Sequence, residues 1–130
     1  MAEASKPEMK KAVFKKVCEL RPLDTGLNLT VKVVNTKVVV PRGRQMRAAE
    51  ALVGDDTAMI VFVARNDLVD LMVEGSTLTL RNAKIEMFKG SMRLAVDRWG
   101  RIEVDEPASF TVKTDNNISL VEFEMVNVVE

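Results

Sequence analysis

The sequence contains no histidine and only one cysteine, Cys18. These absences exclude an intramolecular disulfide, zinc sites built from cysteine and histidine, and nucleophilic catalysis by a Ser-His or Cys-His pair. The sequence also lacks a glycine-rich phosphate loop. We therefore predict that the chain is not an enzyme and holds no metal and no cofactor. Cys18 lies in an apolar pattern from Val13 to Leu20, and we interpret it as a buried core thiol.

Neither sign of charge is in excess, because 19 lysines and arginines face 19 aspartates and glutamates. Any site for a polyanion must therefore come from local segregation of charge rather than from net charge. No segment approaches the roughly 18 apolar residues that a membrane span needs. Residues 1–11 lack the apolar core of a secretory signal. We therefore expect a cytoplasmic or nuclear protein.

The length of 130 residues and an apolar fraction of 47% fit one domain with a real core. Residues 1–12 are small and polar and are predicted to form a flexible N-terminal tail. Residues 13–105 carry the patterns of a folded domain, and residues 106–130 form a β-prone C-terminal extension. The apolar residues between 118 and 129 could add a strand at a sheet edge or mediate self-association.

Alternating apolar residues, rich in valine and threonine, predict five strands. These strands cover residues 27–40, 45–53, 57–63, 76–88 and 91–97. Between the third and fourth, Leu68, Leu71 and Met72 fall on one helical face, and Asn66 or Asp67 is a candidate N-cap. The order predicts an all-β fold, a five-stranded OB-fold Greek-key barrel with one short helix between strands 3 and 4. A β-sandwich is the alternative architecture.

Two runs, Gly75–Ala83 and Met87–Leu94, resemble the single-stranded DNA-binding OB domains of the SOSS complex B subunit and its archaeal relatives. The pieces Ala64–Asp67 and Asp97–Arg101 are more similar to small OB-fold-like proteins of plants. The resemblance covers roughly residues 13–105. It implies a sheet face on which unpaired bases stack.

The resemblance places aromatic residues of the family at four positions on that face. Matched residue by residue, these positions hold Val63, Lys84, Phe88 and Ala95, so only Phe88 keeps a ring. Each stacked base contributes about 1–3 kcal/mol. The loss of three platforms therefore predicts weak binding. Trp99, the single tryptophan, either stacks on a base or packs on the barrel wall.

Basic residues gather around the two loops that flank the ligand groove of an OB fold. Acidic residues lie elsewhere in the sequence, so we expect the charges to be segregated in space, although a solvated surface would also account for the basic residues. The predicted nucleic-acid-binding residues are Arg42, Arg44, Arg47, Val63, Lys84, Phe88, Lys89, Arg93 and Trp99.

Two functions fit these patterns. The first is a module that binds single-stranded DNA or RNA through a basic groove and few stacking rings. The alternative is a protein-interaction module whose docking face is an aliphatic stripe of Met59, Val61 and Val63, because an exposed apolar patch often marks a partner site.

Overall fold

The computed structural model describes residues 12–39, 47–124 and 126. Within these ranges it contains six strands and three short 3-10 helices. The strands are β1 (Leu27–Val39), β2 (Ala48–Gly54), β3 (Met59–Arg65), β4 (Thr77–Phe88), β5 (Ser91–Ala95) and β6 (Arg101–Asp105). The helices are Val17–Glu19, Asn66–Leu71 and Ile118–Leu120. None of the helices in the described ranges is long and apolar enough to cross a membrane.

Five strands form a closed ring. They are hydrogen-bonded in the order β1-β2-β3-β5-β4, and β4 pairs again with β1. The β3–β5 pairing is parallel, and the others in the ring are antiparallel. This is the OB-fold architecture, so the prediction of an all-β, five-stranded fold with a short helix between its third and fourth strands is confirmed.

Strands β5 and β6 lie one after the other along the same edge of β4, because both pair with it. The β5 pairing runs from Phe88↔Ser91 to Lys84↔Ala95, and the β6 pairing runs from Arg81↔Arg101 to Thr77↔Asp105. The turn 96–100 separates the two. A Cβ at Gly100 would lie 2.5 Å from the Arg81 carbonyl oxygen, so only glycine lets this turn approach β4 so closely.

The core fills the ring with residues taken from alternate positions of each strand. On β3, Ile60 and Phe62 have no exposed surface, whereas Val61 and Val63 are half-buried. Fully burying an aliphatic or phenylalanine side chain contributes about 1.5–3 kcal/mol. On β3 the period of two therefore decides which side chains turn inward.

The segment after β3 is a 3-10 helix rather than a longer amphipathic helix. Asn66 opens it with a φ of 57°, and no side chain caps its first turn, so the predicted capping by Asn66 or Asp67 is wrong. The left-handed backbone of Asn66 places it inside the helix start rather than in the extended conformation of an N-cap. Val69 and Met72 are nevertheless buried in the core.

Before β1, the short helix Val17–Glu19 packs only one of its side chains inward. Val17 and the following Leu20 are buried, whereas Val13 and Cys18 are exposed. The prediction that Cys18 is a buried core thiol is therefore wrong. A 3-10 turn of three residues points its side chains in three directions, and here only Val17 faces the barrel.

The C-terminal segment enters the ring where β3 and β5 separate. The Met59 amide donates to Asn116 O at 2.9 Å, and the Phe123 amide donates to Gly90 O at 2.7 Å. Between these contacts Ser119 Oγ accepts from the Val61 amide at 3.0 Å and donates to Met92 O at 2.5 Å. The segment therefore connects the first residues of β3 to the first residues of β5. Residues 125 and 127–129 lie outside the described residues, and the division of the chain at residue 105 stays a prediction.

Candidate nucleic-acid interface

The outward residues of β2, β3, β5 and β4 form one continuous surface, which we call the binding face. The strand registers arrange it in rows that cross the four strands. One row is Glu50, Val63, Ala95 and Lys84, and the next is Leu52, Val61, Arg93 and Glu86. Two residues further along, Phe88 pairs with Ser91.

Three of the four positions that the family resemblance selects lie side by side in this first row. Val63 and Lys84 are half-buried, and Phe88 follows Lys84 on the same face of β4. Ala95 has no exposed surface, so the expectation that it faces solvent is wrong. Its methyl group lies between the longer side chains of Val63 and Lys84, which its register partners supply.

Phe88 stands at the end of β4 with 48% of its surface exposed. The next two residues, Lys89 and Gly90, have φ values of 50° and 82° and form the whole loop of the hairpin. Positive φ at both central residues is the conformation that tight hairpins prefer. The turn places Phe88 beside Arg93, whose guanidinium lies 4.2 Å from the ring centroid, and the Lys89 ammonium lies 5.3 Å from it.

Acidic side chains lie among the basic side chains of the face. Arg93 donates to Glu50 at 2.9 Å, and Lys84 lies 3.4 Å from Glu86 and 3.5 Å from Asp97. The prediction that charge is segregated is therefore wrong for these residues. The registers explain it, because β2 and β4 each contribute a glutamate to the face that carries the cations.

Arg47, the residue just before β2, donates to Asp70 in the second 3-10 helix. This hydrogen bond raises the pKa of Arg47 and lowers the pKa of Asp70. Both side chains are largely exposed, so the pair contributes little to stability. Arg42 and Arg44, the other two basic residues predicted for this loop, lie outside the described residues.

Glu86 lies on the binding face next to two basic side chains, Arg65 and Lys84. Burial disfavours its charged form, but hydrogen bonds and charge from Arg65 and Lys84 outweigh burial and lower its pKa. Arg65 Nη2 lies 3.2 Å from Glu86 Oε1. Glu86 is therefore a carboxylate at neutral pH, and it holds two cations in place on the face.

Trp99 lies in the turn between β5 and β6, and 71% of its surface is exposed. The Arg98 guanidinium lies 4.7 Å from the centroid of the Trp99 ring. The backbone carbonyl oxygen of Trp99 accepts a hydrogen bond from the side-chain amide of Asn82 at 3.1 Å. The ring therefore does not pack on the barrel wall. Asn82 and Phe88 are separated by about 20 Å along β4, so the structure does not bring Trp99 and Phe88 together.

The aliphatic stripe predicted as a docking face is only partly exposed. Met59 is buried where it pairs with Asn117 of the C-terminal segment, whereas Val61 and Val63 are half-buried. Sequence reasoning also missed Glu50, whose alternation with buried neighbours in β2 was a usable signal of an outward position. The identity of its partner, Arg93, had no such signal.

A model of the family "Single-stranded DNA binding protein Ssb-like, OB fold" matches residues 20–104. The chain belongs to this family. An uncharacterized protein of Arabidopsis thaliana is 54% identical to this Ssb-like chain in an alignment that covers 92% of the chain and 86% of the relative. The predicted resemblance to single-stranded DNA-binding OB domains and to small plant proteins is confirmed.

Two solved structures are similar to this Ssb-like OB fold. The solution structure of a hypothetical protein from Arabidopsis thaliana has a TM-score of 0.78 and 48% identity, and the match covers 100% of this chain and 99% of that one. The replication factor A related protein from Methanobacterium thermoautotrophicum has a TM-score of 0.54 and 20% identity, with 75% and 96% covered. At that identity the second likeness concerns the fold alone.

Proposed function

We propose that this chain binds single-stranded nucleic acid, DNA or RNA, on the binding face. The observation that carries the proposal is the exposed Phe88 ring beside Arg93 and Lys89, on the sheet face of a domain from a single-stranded DNA-binding family. A base stacks on an aromatic ring whatever its identity, and cations next to the ring meet the phosphates.

The two cations at Phe88 have different roles in this proposal. Arg93 is anchored by Glu50 at 2.9 Å and is largely covered, so it stays against the ring when the strand arrives. Lys89 is exposed on a flexible stem, and its ammonium moves from the ring to a phosphate. One face of the ring then becomes available to a base.

Binding on this face is expected to be weak and sensitive to salt. Glu50, Glu86 and Asp97 already neutralise Arg93 and Lys84, two of the cations near a bound phosphate, and the family's other stacking positions carry no ring. Electrostatic, sequence-independent binding has dissociation constants of about 10⁻⁴–10⁻⁶ M at physiological salt. We expect the dissociation constant of this protein for single strands to lie in the same range.

The module is proposed to be non-catalytic and to act in the cytoplasm or the nucleus. No histidine is present, and the acidic groups Glu50 and Glu86 of the binding face are held in ion pairs instead of facing a nucleophile. Self-association through residues 118–129 is compatible with binding, because the apolar side chains of Leu120 and Val121 are exposed.

The test is a fluorescence anisotropy titration of labelled single-stranded DNA, single-stranded RNA and duplex DNA of one length at several salt concentrations. We expect tighter binding of both single strands than of the duplex, because a paired base cannot offer its face to Phe88. Affinity should fall as salt rises. Equal affinity for duplex and single strands would refute stacking on Phe88 as the basis of binding.

A further inference from the structure

A cleft of about 440 Å³ opens at the end of the binding face opposite Phe88. It lies between the second 3-10 helix and the turn that joins β5 to β6. We call it the end cleft, and the residues that matter here are Arg65, Asn66, Leu68, Val96, Asp97 and Arg98. Its volume is within the range of about 300–1,000 Å³ that is usual for small-ligand sites.

The end cleft continues the rows of the binding face. Along β3 the outward positions are Val61, Val63 and then Arg65, and Arg65 lines the cleft. Two residues after Ala95 in the first row, Asp97 lines the cleft as well. A strand that crosses the face from Phe88 through the first row therefore arrives at the end cleft without leaving the protein surface.

We propose that the end cleft takes one nucleobase of the strand that Phe88 engages, an inference that rests on the proposed function. Leu68, which is half-buried, and the small exposed part of Val96, which belongs to the core, supply an apolar surface for the flat ring. Around them the side-chain amide of Asn66 and the Arg98 guanidinium supply donors, and the side-chain oxygens of Asp97 supply acceptors. A nucleobase presents both donors and acceptors along its edge, and a single strand leaves that edge unpaired.

The ion pairs at the cleft support a base rather than a free anion. Arg65 is bound to Glu86 at 3.2 Å, and Asp97 accepts from the Trp99 amide at 2.9 Å while it also pairs with Lys84. Their charges are thus largely compensated, whereas their polar atoms remain fixed in position. Fixed polar groups around an apolar surface recognise a neutral heterocycle with polar edges.

Trp99 makes the end cleft observable. It is the single tryptophan of the chain, and its neighbours Arg98 and Gly100 both line the cleft. The Arg98 guanidinium lies 4.7 Å from its ring. A base that enters the cleft and contacts Arg98 changes the surroundings of the indole. Trp99 emission therefore reports whether the end cleft is occupied.

The experiment titrates the full chain with a labelled single-stranded octanucleotide and follows two signals, the anisotropy of the label and the emission of Trp99. We expect both signals to change with the same midpoint. In a ¹⁵N-labelled sample the amide resonances of Asn66, Leu68 and Gly100 should shift together with that of Lys89. The Arg98→Ala variant should bind the octanucleotide about fivefold more weakly or worse, which is the low end of the loss expected for one base contact.

Lys113→Ala is the matched control, because it removes one exposed positive charge that pairs with Asp115 and does not line the end cleft. If Arg98→Ala loses no more affinity for the octanucleotide than Lys113→Ala, the proposal that the end cleft binds a base is overturned. It is also overturned by binding that shifts Lys89 but leaves Trp99 emission and the amides of Asn66, Leu68 and Gly100 unchanged, and the proposed function would then still stand. No anisotropy change with any single strand would instead refute the proposed function itself.

Discussion

Arg93 stacks on Phe88 with its guanidinium 4.2 Å from the ring centroid, and the same guanidinium donates to Glu50 at 2.9 Å. Three strands meet in this contact, because Glu50 lies on β2, Arg93 on β5 and Phe88 on β4. A similar pair occurs elsewhere, where the Arg81 guanidinium lies 5.0 Å from the ring of Phe14. Phe14 bridges to Asn28 outside the binding face, so the two pairs provide a matched comparison.

Replacing Phe88 by alanine should weaken binding of single-stranded oligonucleotides by about 1–3 kcal/mol, the contribution of one stacked base. The fold should persist, because about half of the ring is already exposed. The measurement is an anisotropy titration, with circular dichroism to verify folding. Phe14→Ala removes a ring with nearly the same exposure, 46%, and should leave binding unchanged. Equal losses in both variants would disprove a specific role for Phe88.

Replacing Glu50 by glutamine should strengthen binding. The change removes a negative charge that repels phosphates, and it leaves the charge of Arg93 uncompensated while the glutamine oxygen can still accept its hydrogen bond. The slope of log affinity against log salt should steepen by roughly 0.7, the value for one phosphate contact on a single strand. Glu106→Gln, an exposed position beyond β6, controls for the change in net charge. Weaker binding by Glu50→Gln would mean that Glu50 acts by holding Arg93 against Phe88.

Replacing Ser119 by alanine should lower the free energy of unfolding by about 1–3 kcal/mol, because the Val61 amide and the Met92 carbonyl both lose a buried partner. Urea denaturation followed by circular dichroism measures the loss. Ser109→Ala, at an exposed position, should change stability little. If the two variants proved equally stable, the C-terminal segment would not be an integral part of the ring.

Replacing Asp55 by alanine should lower the free energy of unfolding by about 3 kcal/mol or more. Its buried carboxylate accepts hydrogen bonds from the amides of Val17, Thr57 and Ala58 and from the Thr57 hydroxyl. Removal would leave several donors without a partner, at about 1–3 kcal/mol for each that stays buried. Asp56→Ala removes only an exposed pair with Lys16 and should change the free energy of unfolding little. Thermal or urea unfolding compares the two.

Glu86 should contribute to the pH dependence of stability. Its pKa in the folded protein lies below the ordinary value of 4.5, because Arg65 and Lys84 outweigh the opposing effect of burial. The unfolded chain therefore takes up the proton first as the pH falls. The stability that Glu86 provides is complete above pH 4.5 and is lost as the pH falls through the lower, folded pKa. Urea midpoints at pH 6 and pH 3 should differ less in Glu86→Gln than in the parent, and an unchanged difference would contradict this assignment.

The sequence by itself determined five of the six strands, the position of the short helix and the alternation that turns one side of a strand such as β3 inward. These features follow from local periodicity and turn chemistry, as at Ile60 and Phe62 or at the Lys89–Gly90 turn. Family motifs within residues 20–104 were also sufficient to indicate the OB fold. Local patterns carry this information because a strand's two faces are set by its own alternation.

Only the tertiary structure decided which side chains meet. Glu50 and Arg93 are 43 residues apart in sequence, and Ser119 and Val61 are 58 apart. Periodicity assigns each residue to a face, but the partner across the face depends on the register between strands, which long-range pairing fixes. For this reason the sequence suggested segregated charge where the fold builds ion pairs, and it gave no sign of the cleft between the second 3-10 helix and the turn after β5.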